Sequence, residues 1–195
     1  MSGLRERKKA QTRQALADAA MRLFLERGYD AVSLKEIAEA ADVSVPTVFA
    51  HFPDGKESLV FDLDADRERQ LVAAVRDRAP GSGVLDGLLE MYLAGPLTRE
   101  SAEMRDFLRL IESTPALHDY SRRMWQRHEG ALAGALAAEL GVPPGDPAAT
   151  ALAHFALGAV QVARAADDPA AAITRIFELL ESGWGPLLSG PRSGR

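Results

Sequence analysis

Five basic residues lie within the first thirteen positions of the sequence and could bind a polyanion. They are Arg5, Arg7, Lys8, Lys9 and Arg13, with Glu6 as the only acid among them. Residues 1–60 hold nine basic and nine acidic side chains, whereas residues 61–195 hold fourteen and nineteen, so the net charge of −5 belongs to the second part. A basic segment on an otherwise acidic chain indicates a polyanionic partner; a solvated tail is the alternative.

Elsewhere the sequence contains no arrangement of residues that is typical of catalysis or metal binding. It has no cysteine, which excludes disulfides, thiolate zinc sites and cysteine nucleophiles. Its four histidines do not form a His-Glu-x-x-His pattern, and no glycine-rich phosphate loop precedes a helix. We therefore predict a protein that is not an enzyme and that uses no metal or cofactor.

The elements that must position the basic residues are predicted to be helices throughout. Apolar residues recur at helical spacing along almost the whole chain, and no stretch alternates over strand length. The pattern predicts about nine helices in an all-α fold: a first helix ending at Gly28, two short helices, a long fourth helix starting at Asp54, and helices at 84–94, 99–113, 115–140, 147–166 and 169–183. No apolar run approaches the roughly 18 residues that span a bilayer, so we expect a cytoplasmic protein without a membrane partner.

Residues 33–52 have the plan of a helix-turn-helix unit. Ser33 and Glu36 form a capping box that starts the first short helix, and Ser44 can cap the second. In this plan the second helix enters the DNA major groove while the first braces it. Val48 and Phe52 are expected to be buried. The face left outside carries Val45, Thr47, Phe49, Ala50 and His51.

Two stretches of this unit resemble the TetR family of bacterial transcriptional regulators. They are residues 28–38 (Gly-Tyr-Asp-Ala-Val-Ser-Leu-Lys-Glu-Ile-Ala) and 42–53 (Asp-Val-Ser-Val-Pro-Thr-Val-Phe-Ala-His-Phe-Pro), followed by Lys56-Glu57-Ser58-Leu59. The resemblance covers about residues 10–60. It implies a three-helix DNA-binding domain with a basic arm at residues 1–55 and a helical ligand-binding and dimerisation domain at 56–187. Residues 188–195 are predicted to be a flexible tail.

The resemblance implies phosphate contacts for four residues. Thr47, Phe49 and His51 match positions at which family members contact phosphates, and Lys56 matches a phosphate-binding lysine at the start of the fourth helix. Phe49 stands where tyrosine is common, so a hydroxyl contact is lost, and core packing is the alternative role for this residue. Asp54-Gly55 adds one residue before Lys56 and shifts its register.

The residues implied to face the groove are unusually apolar. Val45, Pro46 and Ala50 match the groove-facing part of the helix that Ser44 caps, and Lys35 matches a position that reaches a base or the backbone. Ser44 itself is a further candidate DNA contact. This face lacks arginine, asparagine and glutamine, the residues that make bidentate base contacts. We therefore predict that apolar contacts, DNA shape or the basic arm in the minor groove supply much of the specificity.

The resemblance also implies a small-molecule effector. Tyr92 and Trp125 lead the candidates because each combines an apolar body with a polar handle, although a helical core needs such residues too. We predict an effector that is apolar or aromatic rather than highly charged. The candidate contacts are Tyr92, Met104, Phe107, Met124, Trp125, His128 and Phe155.

The last two helices are the predicted dimer surface. Residues 148–166 are rich in alanine and glycine, which permits close helix approach, and the helix after Pro169 adds large apolar residues. Two such helices from each subunit would form a four-helix interface with two-fold symmetry. Two recognition helices would then lie about 34 Å apart, matching a palindromic operator. The predicted contacts are Ala156, Ala159, Ala163, Ile173, Phe177, Leu180 and Trp184.

The function that follows is a ligand-responsive transcriptional repressor. It would bind a palindromic operator in double-stranded DNA as a homodimer and be released by its effector. Two alternatives remain open. One is an activator or a ligand-independent regulator with the same DNA-binding head, and the other is a helical small-molecule-binding protein whose helix-turn-helix is incidental.

Overall fold

The computed structural model describes residues 2–95 and 102–183, in which all the secondary structure is helical. The helices are α1 (Ser2–Arg27), α2 (Leu34–Ala40), α3 (Val45–His51), α4 (Asp64–Arg76), α5 (Val84–Ala94), α6 (Ala102–Ser113), α7 (Pro115–Leu140), α8 (Pro147–Arg164) and α9 (Pro169–Ser182), with a 3₁₀ turn at Glu57–Leu59. The predicted all-α fold of about nine helices is confirmed. The predicted tail at 188–195 lies outside the described residues.

Polar side chains start several helices, as the sequence predicts. Ser33 Oγ accepts a hydrogen bond from the Glu36 N–H at 3.3 Å, and the Glu36 carboxylate accepts one from the Ser33 N–H at 2.8 Å. The hydrogen bonds from Ser33 lower the pKa of the Glu36 carboxyl to about 2, and the Arg27 guanidinium, 2.7 Å from a Glu36 carboxylate oxygen, acts in the same direction. Asp146 and Asp168 cap α8 and α9 by accepting hydrogen bonds from first-turn N–H groups, and a proline follows each of them.

The predicted start of the fourth helix at Asp54 is wrong, because α4 begins only after residue 63. Gly55 has a φ of +93°, which suits glycine, and the 3₁₀ turn follows it. Leu59, Val60 and Phe61 are consecutive and all buried. The left-handed Gly55 and the 3₁₀ turn thus separate Asp54 from the start of α4. The spacing of apolar residues in the sequence does not reveal this interruption.

The basic segment at the N-terminus is part of α1 rather than a free tail. The helix runs from Ser2 without interruption and ends before Gly28, whose φ of +83° confirms the predicted stop. Alanine, leucine, lysine, arginine and glutamine dominate its sequence and are strong helix formers. Four basic side chains are exposed along its first turns: Arg5, Arg7, Lys8 and Lys9.

The described residues divide into two compact units. The first consists of residues 2–65 and 102–124, and the second of residues 66–95 and 125–183. In the first unit α1 packs against α2 and the 3₁₀ turn, and α2 packs against α3; in the second, α9 packs against α8 and α5. The predicted functional boundary between residues 55 and 56 stays a prediction. Within the described ranges, no helix is both long and apolar enough to cross a lipid bilayer.

Gly87 provides a test of the packing between α4 and α5. A Cβ added at Gly87 would lie 2.1 Å from the backbone oxygen of Ala74, so Gly87→Ala should lower the free energy of unfolding by about 2 kcal/mol or more. Gly134 in α7 is the control, since a Cβ there meets nothing within 4 Å. Gly134→Ala should raise the free energy of unfolding by about 0.5–1 kcal/mol. Chemical denaturation measures both, and a Gly87→Ala protein as stable as the parent would contradict the close approach.

Candidate nucleic-acid interface

A tight turn joins α2 to α3. The Val43 N–H donates to the Ala38 carbonyl at 2.9 Å, and Asp42 has a φ of +54°. This left-handed conformation is common after the last residue of a helix, and aspartate tolerates it. Ser44 then caps α3, because its Oγ accepts a hydrogen bond from the Thr47 N–H at 3.3 Å. The predicted turn and cap are confirmed.

Helix α3 has one face in the core and one face outside. Val48 and the adjoining Phe52 are buried, as predicted. Pro46, Phe49 and Ala50 are exposed, and 49% of the Phe49 surface is accessible to solvent. Core packing of Phe49, the alternative to a DNA contact, is therefore wrong. A solvent-exposed aromatic ring on a short, capped helix is available to a partner.

Polar groups lie beside the exposed face. Val45 and Thr47 are half-buried in the first turn of α3, and Thr47 Oγ1 lies 2.8 Å from Ser44 Oγ. Lys35 on α2 is exposed, and its ammonium lies 3.8 Å from the Glu39 carboxylate. Exposed pairs of this kind contribute little. The Lys35 ammonium therefore remains available to a phosphate or a base.

Arg13 connects α1 to the end of α3. Its guanidinium donates to the His51 carbonyl at 2.6 Å and the Asp62 carbonyl at 2.8 Å, and lies 4.2 Å from the centre of the Phe52 ring. The Arg13 guanidinium thus forms hydrogen bonds within the first unit. Burial, followed by the positive charges of Lys9 and Arg13, lowers the pKa of His51. This shift favours the neutral form of the half-buried imidazole, which has one ring N–H to donate.

Lys56 occupies an internal position ahead of the 3₁₀ turn, rather than the start of an α-helix. Its ammonium donates to the Tyr29 carbonyl at 2.7 Å and the Val32 carbonyl at 2.9 Å, and lies 3.9 Å from the centre of the Tyr29 ring. Burial lowers the pKa of Lys56, while the charges of Asp30 and Glu57 act in the opposite direction. Lys56 therefore holds the loop between α1 and α2, and its implied phosphate contact stays a prediction.

Sequence reasoning missed these internal roles of Arg13 and Lys56. Arg13 had a detectable signal, because it precedes the buried residues Leu16 and Ala17 by three and four positions and so shares their face of α1. The internal role of Lys56 left no signal in the sequence, because its hydrogen-bond partners lie more than twenty positions earlier in the chain and only the fold brings them together.

The predicted ligand contacts are divided between the two units. Phe107 and Met124 belong to the first unit, and Tyr92, Trp125 and His128 to the second. The side chain of Met104 lies outside the described part of the structure. Phe155 is 57% exposed on α8.

The second unit contains two aromatic pairs that include predicted ligand contacts. Tyr92 is buried, and its ring centre lies 5.9 Å from that of Phe177 in an edge-to-face arrangement. Trp125 meets the buried His128 edge-to-face at 6.0 Å. Their contact with an effector stays a prediction.

Most predicted dimer contacts are buried within the second unit itself. The buried residues are Ala156, Ala159, Ala163, Ile173 and Phe177; Leu180 is half-buried, and Trp184 lies outside the described residues. The buried five pack inside their own chain and cannot themselves offer an exposed apolar surface. The exposed large apolar residues of α8 are Phe155 and Val162. A dimer interface on these helices stays a prediction.

Family models match both parts of the chain. Residues 16–63 match a model described as bacterial regulatory proteins of the tetR family. Residues 89–185 match a model described as the MftR C-terminal domain. The first match contains the capped α2 and α3 described above. The chain belongs to the TetR family.

Several TetR-family proteins are similar to this chain. The regulator TcmR of Streptomyces glaucescens is 36% identical over 149 residues, which make up 72% of this chain and 65% of TcmR. The repressor KstR of Mycolicibacterium smegmatis is 33% identical over 87 residues, 45% of this chain and 42% of KstR. The matches thus span less than two-thirds of these relatives. NalD of Pseudomonas aeruginosa, described as the secondary repressor of an efflux pump, shares the fold, with a TM-score of 0.59 and 24% identity over 90% of this chain and 96% of NalD.

The internal role of Lys56 in this TetR-family head predicts a loss of stability on its replacement. Lys56→Met removes an ammonium that donates to two loop carbonyls, so the free energy of unfolding should fall by about 2–3 kcal/mol. Lys35→Met is the matched control, because the exposed Lys35 should contribute less than about 0.5 kcal/mol. Urea denaturation followed by circular dichroism measures both, and equal effects would refute the internal role.

Proposed function

We propose that this TetR-family chain is a transcriptional repressor that binds DNA through α3. The observation that carries the proposal is the orientation of α3. Its inner side is held in the core by Val48 and Phe52, while Pro46, Phe49 and Ala50 are left exposed. A short exposed helix of this kind fits the major groove. The similarity to proteins described as a transcriptional regulator and a transcriptional repressor supports the same function.

Positive charge on α1 and α2 would supply affinity for the DNA backbone. The exposed side chains are Arg5, Arg7, Lys8, Lys9 and Lys35. Each phosphate that they neutralise releases counterions, which makes binding depend on salt. These contacts carry no sequence information. Apolar contact between the exposed face of α3 and thymine methyl groups, together with DNA shape, would therefore provide the specificity.

The proposed repressor acts as a homodimer that uses α8. Phe155 and Val162 are 57% and 66% exposed. Gly158 lies between them in sequence, and the separations of three and four residues place all three on one helix face. A Cβ at Gly158 would meet nothing within 4 Å, so a second chain has room to approach. A two-fold axis would bring two copies of this surface together. A small effector bound by the second unit would then shift the dimer towards a state that does not bind DNA.

DNA binding is tested by a titration with the DNA that flanks the gene of this protein. At about 50 mM salt we expect one compact palindromic footprint, and raising the salt to about 200 mM should weaken binding by at least about 100-fold. Lys35→Ala should reduce the salt slope by about one, whereas Phe49→Ala should weaken binding without changing the slope. Arg175→Gln, a change in the second unit, is the control.

Failure to bind any fragment of a genomic pool would overturn the repressor and favour a small-molecule-binding protein. A reporter under the protected promoter gives the sign of regulation. Its expression should rise when the gene is deleted, and a fall would instead identify an activator.

The dimer surface is tested by placing a charge on α8. Phe155→Glu should give monomers in light scattering, because two carboxylates would meet near the symmetry axis in an apolar interface. Leu140→Glu is the control, since Leu140 is an exposed leucine at the end of α7 in the same unit. A Phe155→Glu protein that remains dimeric would place the interface elsewhere.

A further inference from the structure

The second unit contains a buried phenol whose hydroxyl has no hydrogen-bond partner in the described part of the chain. Tyr92 on α5 is 2% exposed, and its ring packs edge-to-face against Phe177. Within the described residues, no hydrogen bond reaches the Tyr92 hydroxyl. Buried hydroxyl groups are normally hydrogen-bonded, so an isolated one needs an explanation. A ligand that is an acceptor would supply the missing bond.

Two arginines lie beside this phenol. The guanidinium carbon of Arg67, from α4, is 5.7 Å from the centre of the Tyr92 ring. Arg164, in the last turn of α8, is half-buried and close enough for its charge to act on Tyr92. Among the described residues, neither guanidinium forms an ion pair with a carboxylate, whereas Arg78 of the same unit pairs with Glu139 at 2.8 Å.

The electrostatics of this cluster favour an anion. Burial raises the pKa of Tyr92 to about 12, and the charges of Arg67 and Arg164 act in the opposite direction. Burial and then the charge of Arg67 lower the pKa of Arg164. Two like charges and an unused donor thus converge where water is partly excluded. An anionic group would relieve the repulsion and accept from all three side chains.

We propose that Arg67, Tyr92 and Arg164 bind the carboxylate of a small effector whose remaining part is apolar. A carboxylate offers two oxygens, which match the planar fork of a guanidinium and leave lone pairs for the phenol. The Phe177 ring provides an apolar wall next to the phenol. This inference rests on the proposed function, since it names the effector class: it adds one carboxylate to the apolar or aromatic effector that the sequence predicts.

The test is direct binding in the absence of DNA. Benzoate, 1-naphthoate and decanoate are titrated into the full chain by calorimetry, each beside its own primary amide. At least one acid should bind saturably, and its amide should bind at least tenfold more weakly because it lacks the charge. Binding of none of the three acids, or equal binding of acid and amide, would overturn the proposal.

Variants show whether the three side chains form the site. Arg67→Gln and Arg164→Gln should each weaken binding of the acid at least tenfold, and Tyr92→Phe at least threefold. Arg69→Gln, a change of an exposed arginine on the same helix as Arg67, should leave binding unchanged. Unchanged binding in Arg67→Gln or Arg164→Gln would refute the site.

Thermal unfolding without ligand separates a binding role from a structural one. Each of the three replacements in the site should leave the midpoint unchanged or raise it, because repulsion or an unbonded buried hydroxyl is removed. A lower midpoint in all three would indicate a structural cluster and overturn the proposal. The footprint on the same preparations keeps the two proposals apart. A footprint without acid binding overturns only the effector site, and acid binding without a footprint overturns only the repressor.

Discussion

One half-buried ammonium group holds the loop between α1 and α2 in place. Lys56 gives up part of its hydration, and the carbonyls of Tyr29 and Val32 and the Tyr29 ring replace the lost water. These contacts tie the loop after α1 to the start of the 3₁₀ turn. The same loop leads to Ser33, which starts α2, and α2 supports α3. The direction of α3, the proposed recognition helix, therefore depends on a charge that lies outside that helix.

Basic residues of the first unit perform two different tasks. Lys56 and Arg13 have their donors engaged by backbone carbonyls, while Lys35 and the basic residues at the start of α1 are exposed. A guanidinium or ammonium whose hydrogen bonds are already made inside the chain stabilises the fold and has little left to offer a phosphate. A structural cation therefore differs from one that is available to a phosphate because its N–H donors are already hydrogen-bonded within the chain. The residue type does not make this difference.

The second unit shows the opposite situation, in which polar groups converge without satisfying one another. Arg67 and Arg164 repel each other, and none of the described residues accepts a hydrogen bond from the buried Tyr92 hydroxyl. A sequence under selection for stability alone would replace one of these groups. Proteins retain such local conflicts mainly at functional sites, where a ligand resolves them. Among the described residues, the surrounding core of alanine, leucine and isoleucine is otherwise apolar and offers these polar groups no further hydrogen-bonding side chains.

The sequence by itself determined the local features of this protein. The caps at Ser33, Ser44, Asp146 and Asp168, the stop at Gly28 and the helical periods depend on residues within a few positions of one another, so the sequence displays them directly. Tertiary structure alone decided the helix start after residue 63, the inward direction of Lys56, the burial of the alanines of α8 and the meeting of Arg67, Tyr92 and Arg164. The reason is physical: burial and electrostatic fields depend on residues far apart in the chain, and only folding brings those residues within a few ångströms of one another.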